Sequence, residues 1–124
     1  MLCKSLSACV PMIANDGCRV FELLHPRHAQ TELPYSLAVA EVEPGMSSYR
    51  HVLDQAEVYF LLDGRGLMHV DGETREVTVG DAVLIPPGAV QWIDNLGPQT
   101  LRFVALVSPP WTAAGDHRLD DARS

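Results

Sequence analysis

Between residues 35 and 107 the chain is interrupted so often that no dozen residues between turn signals show helical spacing. Pro44-Gly45, Asp63-Gly64-Arg65-Gly66, Asp71-Gly72, Gly80-Asp81, Pro86-Pro87-Gly88 and Asn95-Leu96-Gly97-Pro98 mark the breaks. The pieces left between them are residues 35–42, 57–62, 67–70, 75–79, 82–85, 90–93 and 101–107, short and rich in Val, Ile, Leu, Tyr and Phe. Segments of four to eight such residues, bounded by Gly, Pro and Asx turns, are strands rather than helices. Asn15-Asp16-Gly17 precedes one more such segment, residues 20–24. Eight or nine strands result, and the fold class is all-β: a sandwich, barrel or jelly roll.

The 124 residues suit a single domain with one core, and 47% hydrophobic residues can fill it. We expect an arm and first strand over 1–34, a barrel core over 35–111, and a polar C-terminal tail over 112–124, mobile or peripheral. Nine Lys plus Arg against sixteen Asp plus Glu leave a net charge of −7. That balance repels phosphate backbones and anionic lipid surfaces, so neither nucleic acid nor a membrane is an expected partner. No apolar run approaches the roughly 20 residues needed to span a bilayer. Leu6-Ser7-Ala8-Cys9 has the form of a lipoprotein cleavage box, but what precedes it contains no adequate apolar region, so secretion is not expected. Cys3, Cys9 and Cys18 are odd in number and lack metal-ligand spacing, which fits a reducing cytoplasm.

Gly45, His51, Leu53, Glu57 and Gly64 stand at spacings that resemble the first motif of the cupin family, in which Leu53 is replaced by a second His. Gly80, Pro86, Gly88, Gln91 and Asn95 resemble the second cupin motif, in which Gln91 is replaced by His. Fifteen residues, 65–79, separate the two motifs, as in small bacterial single-domain cupins. The resemblance implies a jelly-roll barrel, the double-stranded β-helix. It also implies that His51, Glu57 and the residue at 91 converge inside the barrel, where metal-binding cupins hold one divalent ion.

Strand parity puts His51, Glu57, Tyr59 and Leu61 on one face and Val58, Phe60 and Leu62 on the other. Both faces are apolar, which fits a cavity on one side and packing against another sheet or a second copy on the other, so a homodimer is expected. His51, Glu57 and Gln91 would be the ligands of a divalent ion (Zn, Mn, Ni or Fe), but one imidazole falls short of the two-His-one-carboxylate set of iron oxygenases. The competing arrangement is a hydrogen-bonded network of the same three residues in a metal-free ligand pocket.

Glu57 and Tyr59 are the candidates for moving a proton, and Tyr49, Arg50 and Tyr59 for recognising substrate at the barrel mouth. His25-Pro26-Arg27-His28 reads as a surface loop, His69 as an exposed residue, and Trp92 and Trp111 as packing or interface anchors. The functions in play are therefore a metal-dependent non-redox enzyme of lyase or isomerase type, a metal-free small-molecule binder or sensor, and a metal-dependent dioxygenase.

Overall fold

The structure is a computed structural model and describes residues 1–29 and 32–119. Its strands are β1 (Met12–Ile13), β2 (Arg19–Leu24), β3 (Ser36–Val42), β4 (His51–Leu53), β5 (Ala56–Asp63), β6 (Arg65–Val70), β7 (Glu73–Thr78), β8 (Ala82–Ile85), β9 (Val90–Asn95), β10 (Leu101–Ser108) and β11 (Asp116–Arg118). The one α-helix among the described residues is α1 (Pro26–Ala29). A six-stranded sheet runs β1-β2-β3-β10-β5-β8 and a five-stranded sheet β11-β4-β9-β6-β7, every pairing antiparallel. The two sheets close over each other as a jelly-roll barrel. Every segment expected as a strand is one, usually longer by a residue or two.

Alternation does the positioning. Along β5 Glu57, Tyr59 and Leu61 are buried while Phe60 is exposed and Val58 and Leu62 half-buried; β9 alternates in the same way. The register continues these rows across the sheet: Glu57 pairs with Val107 and Ile85, and Tyr59 with Ala105 and Val83. Leu61, Ile93, Leu101 and Phe103 are fully buried between the sheets. The apolar inner face is what holds the sheets together, each fully buried side chain contributing about 1.5–3 kcal/mol.

The motif glycines at 45, 64, 80 and 88 all have left-handed φ, from 75° to 91°. At Gly64 a Cβ would also lie 3.2 Å from Leu101 Cα and from Thr100 O, so the β5–β6 turn needs glycine for space as well as for conformation. Motif residue Asn95 serves the fold directly. Its Nδ2 donates to the carbonyls of Val42 (3.0 Å) and Gln99 (2.9 Å), and its Oδ1 accepts from the Gly97 amide at 2.9 Å.

The ends of the chain depart from the sequence reading. The described residues form eleven strands rather than eight or nine, because β1, β4 and β11 have only two or three residues each and carry no periodicity of their own. The C-terminal segment is not a loose tail through residue 119: β11 pairs with β4, setting Asp116 opposite Leu53 and Arg118 opposite His51. Thr112 caps the preceding turn, its side chain accepting from the Gly115 amide. The last part of that expected tail, residues 120–124, lies outside the described residues. The 25–28 segment is a helical turn rather than a loop, since Pro26 occupies the first helical position, where its missing N–H is not needed. His25 is buried there, its Nε2–H donating to Trp111 O at 2.8 Å.

Candidate functional site

Between the sheets, at the end covered by residues 12–16 and 111–116, lies a cavity of about 350 Å³. Its walls are mostly apolar, with Ala38, Ala40, Ala105, Phe103 and Trp111 among them. Small side chains on β3 and β10 make the room: Ala38 faces Ala105 in the register, and Ala40 faces Phe103. Into this space project His51 from β4, Glu57 and Tyr59 from β5, Asp16 from the turn before β2, and Asp116 from β11.

His51 is held between two carboxylates. Its Nδ1–H donates to Asp116 Oδ1 at 3.1 Å, and its Nε2 lies 3.5 Å from Asp16 Oδ2 without a hydrogen bond. Burial pulls the imidazole pKa down, but the Asp116 hydrogen bond and the charges of Asp16, Asp116 and Glu57 outweigh it and leave His51 above its ordinary value. Asp116 is fully engaged, its Oδ1 also accepting from Asn15 Nδ2 (3.2 Å) and its Oδ2 from Trp111 Nε1 (3.0 Å). Burial works against its ionisation, yet His51, Trp111 and Asn15 hold its pKa below the usual carboxylate range.

Glu57 is the opposite case. It is 6% exposed, and its Oε1 has no hydrogen-bond partner among the described residues. Burial pushes its pKa up to about 8, with His51 opposing the rise and Asp16 adding to it. The Gln91 amide beside the carboxyl lowers that pKa, and Gln91 Nε2 has no hydrogen-bond partner within bonding geometry among the described residues. Such a carboxyl, protonated at neutrality and facing a closed space, is suited to giving or taking a proton.

His51, Glu57, Tyr59 and Gln91 do come together, as strand parity and the second motif predict, with His51 directly opposite Gln91 in the β4–β9 register. Three of them line the cavity; Gln91 is fully buried behind, where its Oε1 accepts from the Tyr59 hydroxyl at 3.2 Å. Tyr59 thus spends its proton on Gln91. Burial first, and then the Glu57 charge, push its phenol well above the ordinary value, opposite to what a proton-abstracting tyrosine needs.

Tyr49 and Arg50 do not line this cavity. They follow Ser47 and Ser48 on the outer side, with Arg118 over the Tyr49 ring (4.6 Å) and Arg50 over the Trp92 ring (5.7 Å). Both precede β4, outside the alternating strand that turns His51 inward, so the cavity does not include the substrate role expected of them. His69 is half-buried on that outer surface rather than exposed, stacked on Trp92 at 4.1 Å and joined to Asp94 at 2.7 Å. Trp111, read as a packing anchor, lines the cavity and orients Asp116. Asp16, Asp116 and Trp111 were not singled out as site residues. Nothing local marks them, except that Asp16 belongs to the recognisable Asn15-Asp16-Gly17 turn.

The donor set does not suit a divalent ion. Leu53, buried in the cavity wall, stands where the resemblance expects an imidazole, and Gln91 where it expects another. The remaining imidazole faces carboxylates through both nitrogens. Among the described residues no three His, Cys, Asp or Glu side chains are arranged to hold a metal.

The family model described as a cupin domain matches residues 38–107. An uncharacterised protein of Methanocaldococcus jannaschii, MJ1618, is 38% identical over 103 residues, covering 82% of either chain. The dimethylsulfoniopropionate lyase DddW of Ruegeria pomeroyi is 36% identical over 67 residues, which span 54% of this chain and 43% of the lyase. Among solved structures, a predicted oxalate decarboxylase from Thermotoga maritima superposes with a TM-score of 0.76 at 22% identity, covering 87% of this chain and 99% of that one. At that identity the likeness concerns the fold alone.

Proposed function

The chain belongs to the cupin family, and on that premise we propose that its barrel is a small-molecule-binding site that works through its own side chains rather than through a resident metal. The observation that carries this reading is Glu57: a buried carboxyl with one oxygen unpartnered, opening into an apolar cavity of ligand size. Three imidazoles would make such a barrel a metal centre; here one remains, and it is committed to Asp116. The dioxygenase alternative needs two imidazoles and a carboxylate, and the cavity wall supplies one imidazole.

A second reading is favoured by the state of Glu57. With a pKa of about 8 it exchanges a proton near neutrality, the property of a general acid or base in a lyase or isomerase. In such a reaction Glu57 Oε1 would carry the proton, His51 would hold the local charge balance, and the apolar walls would exclude water. The partial similarity to a lyase supports this reading. We propose in addition that the protein is a homodimer, and that its three free thiols belong to a reducing compartment. No helix among the described residues is long and apolar enough to cross a membrane.

A fragment screen by thermal shift in chelator-treated buffer tests the binding site. Stabilising fragments are expected, and their effect should vanish in Ala105→Phe, which fills the cavity; stabilisation that requires added metal would overturn the metal-free reading. Calorimetry with manganese, zinc, nickel and ferrous iron is the complement. Wild type should show no binding that depends on Glu57, whereas Leu53→His/Gln91→His, which restores the two missing imidazoles, should gain it.

A further inference from the structure

The polar groups facing the cavity are unbalanced in a way that specifies a ligand. Among the described residues four carboxyl groups line it, those of Asp16, Glu22, Glu57 and Asp116, and no Lys or Arg does. Glu22 is neutralised from outside by a two-pronged Arg27 contact (2.9 Å to each oxygen), with His28 Nε2 also 2.9 Å from Oε1. Asp116 is saturated by His51, Asn15 and Trp111. That leaves Asp16 Oδ2, whose neighbour is His51 Nε2 at 3.5 Å, and Glu57 Oε1, which has none.

Most of the lining donors, by contrast, are already spent, and His51 Nε2, which makes no hydrogen bond among the described residues, lies toward Asp16 Oδ2 at 3.5 Å. Tyr59 OH donates to Gln91, and both Trp111 Nε1 and Asn15 Nδ2 donate to Asp116. Glu57 keeps its proton in the empty cavity, but a cation lying against Oε1 favours the ionised form, the proton passing to solvent; the carboxylates of Asp16 and Glu57 then outnumber the one imidazole facing them, and a complementary ligand brings N–H donors and positive charge. The acidic grouping does not stand alone as evidence: Glu57, more than nine-tenths buried, is aimed into a cavity whose remaining wall is apolar and aromatic. Tyr59 and Phe103 sit with ring centroids 4.2 Å apart, and Trp111 lines the same space. Aromatic faces beside carboxylates attract a cation with an apolar body.

We propose that the cavity binds a compact ammonium-bearing molecule, its N–H donors meeting Glu57 Oε1 and Asp16 Oδ2 and its apolar part lying against Tyr59, Phe103 and Trp111. Anionic carboxylates are disfavoured at the same place, because the one basic side chain in the lining among the described residues, His51, is shared between Asp116 and Asp16. This inference rests on the small-molecule pocket proposed above and names its ligand class.

Three probes of similar size separate the two claims: benzylammonium, benzyl alcohol and benzoate, titrated in chelator-treated buffer at neutral pH and followed by the amide NMR shifts of Ala38, Ala40 and Ala105. Benzylammonium should bind at least about tenfold more tightly than benzyl alcohol, equivalent to about 1.4 kcal/mol, and benzoate more weakly than either. Asp16→Asn, which keeps an oxygen for the Cys18 amide, should bring benzylammonium to within about twofold of the alcohol and leave the alcohol unchanged. Glu57→Gln serves as a second variant with the same expectation. Equal affinity for the three probes, or preference for benzoate, overturns the ammonium proposal while leaving the pocket standing. No shift at the wall amides with any probe at about 10 mM, a concentration well above the micromolar-to-millimolar range of such ligands, overturns both.

Discussion

Glu57 is kept inside the barrel by the register that pairs it with Val107 and Ile85, whatever its charge costs there. The groups around it are His51 on β4, Asp16 on the turn before β2, Asp116 on β11, and Tyr59 and Gln91 behind. Its pKa rises from 4.5 to about 8 on folding, so between those values the folded state retains a proton that the unfolded chain has lost. Stability from this group is therefore complete below about pH 4.5 and declines as pH rises through 8. Glu57→Gln, which mimics the protonated form, is expected to match wild type at pH 5 and to melt higher at pH 9 by roughly 4 °C or more. Melting curves across that range check it, and parallel pH profiles for the two proteins would refute the buried, uncompensated carboxyl.

Among the elements, the three-residue strand β11 has the largest effect for its size, because it delivers Asp116 to His51. Its position depends on the turn before it, where a Cβ at Gly115 would lie 2.7 Å from Gln55 Oε1 and 3.0 Å from Thr112 Oγ1. The Gly115 carbonyl accepts from the Asp54 amide (2.9 Å), and the Leu119 amide donates to Arg50 O (2.8 Å), so the strand is clamped at both ends. Gly115→Ala displaces the Gln55 amide from Pro110 O and Thr112 Oγ1, so it should cost about 1 kcal/mol and speed hydrogen exchange at Asp54 and Leu119 before it affects the core of β5 and β10. Exchange unchanged at both amides would show that β11 is positioned by something other than this turn.

For the whole molecule, the unexplained feature is the outer face of the six-stranded sheet. The register aligns Phe21, Val39, Val104 and Phe60 in one row across β2, β3, β10 and β5, with Val58 and Leu84 in the next. Phe60 is 43% and Leu84 69% exposed, with Phe21 and Val104 half-buried and Val39 buried between them, and an apolar face of this kind can complement itself about a two-fold axis. Light scattering at tens of micromolar is expected to give a dimer for wild type and a monomer of unchanged secondary structure for Phe60→Lys. A wild-type monomer would remove the dimer proposal and leave the cavity unaffected.

The sequence alone determined what depends on local sterics. Turn residues at 45, 64, 80 and 88 marked where strands must end, and each has the left-handed φ that glycine allows. Alternation in β5 assigned Glu57, Tyr59 and Leu61 to the interior because side chains on a pleated strand alternate by geometry, not by context. Two spaced motifs brought positions 51, 57 and 91 to one place. Only the tertiary structure decided the chemistry there. Asp116 reaches His51 across 65 residues of chain, and Asp16 and Trp111 come from the segments that close the barrel, which have no periodicity to read. These partners set the charge on His51 and occupy the hydrogen-bond donors around it. A side chain's pKa and its unspent acceptors are properties of everything packed against it, and for His51 and Glu57 that packing is assembled from both ends of the chain.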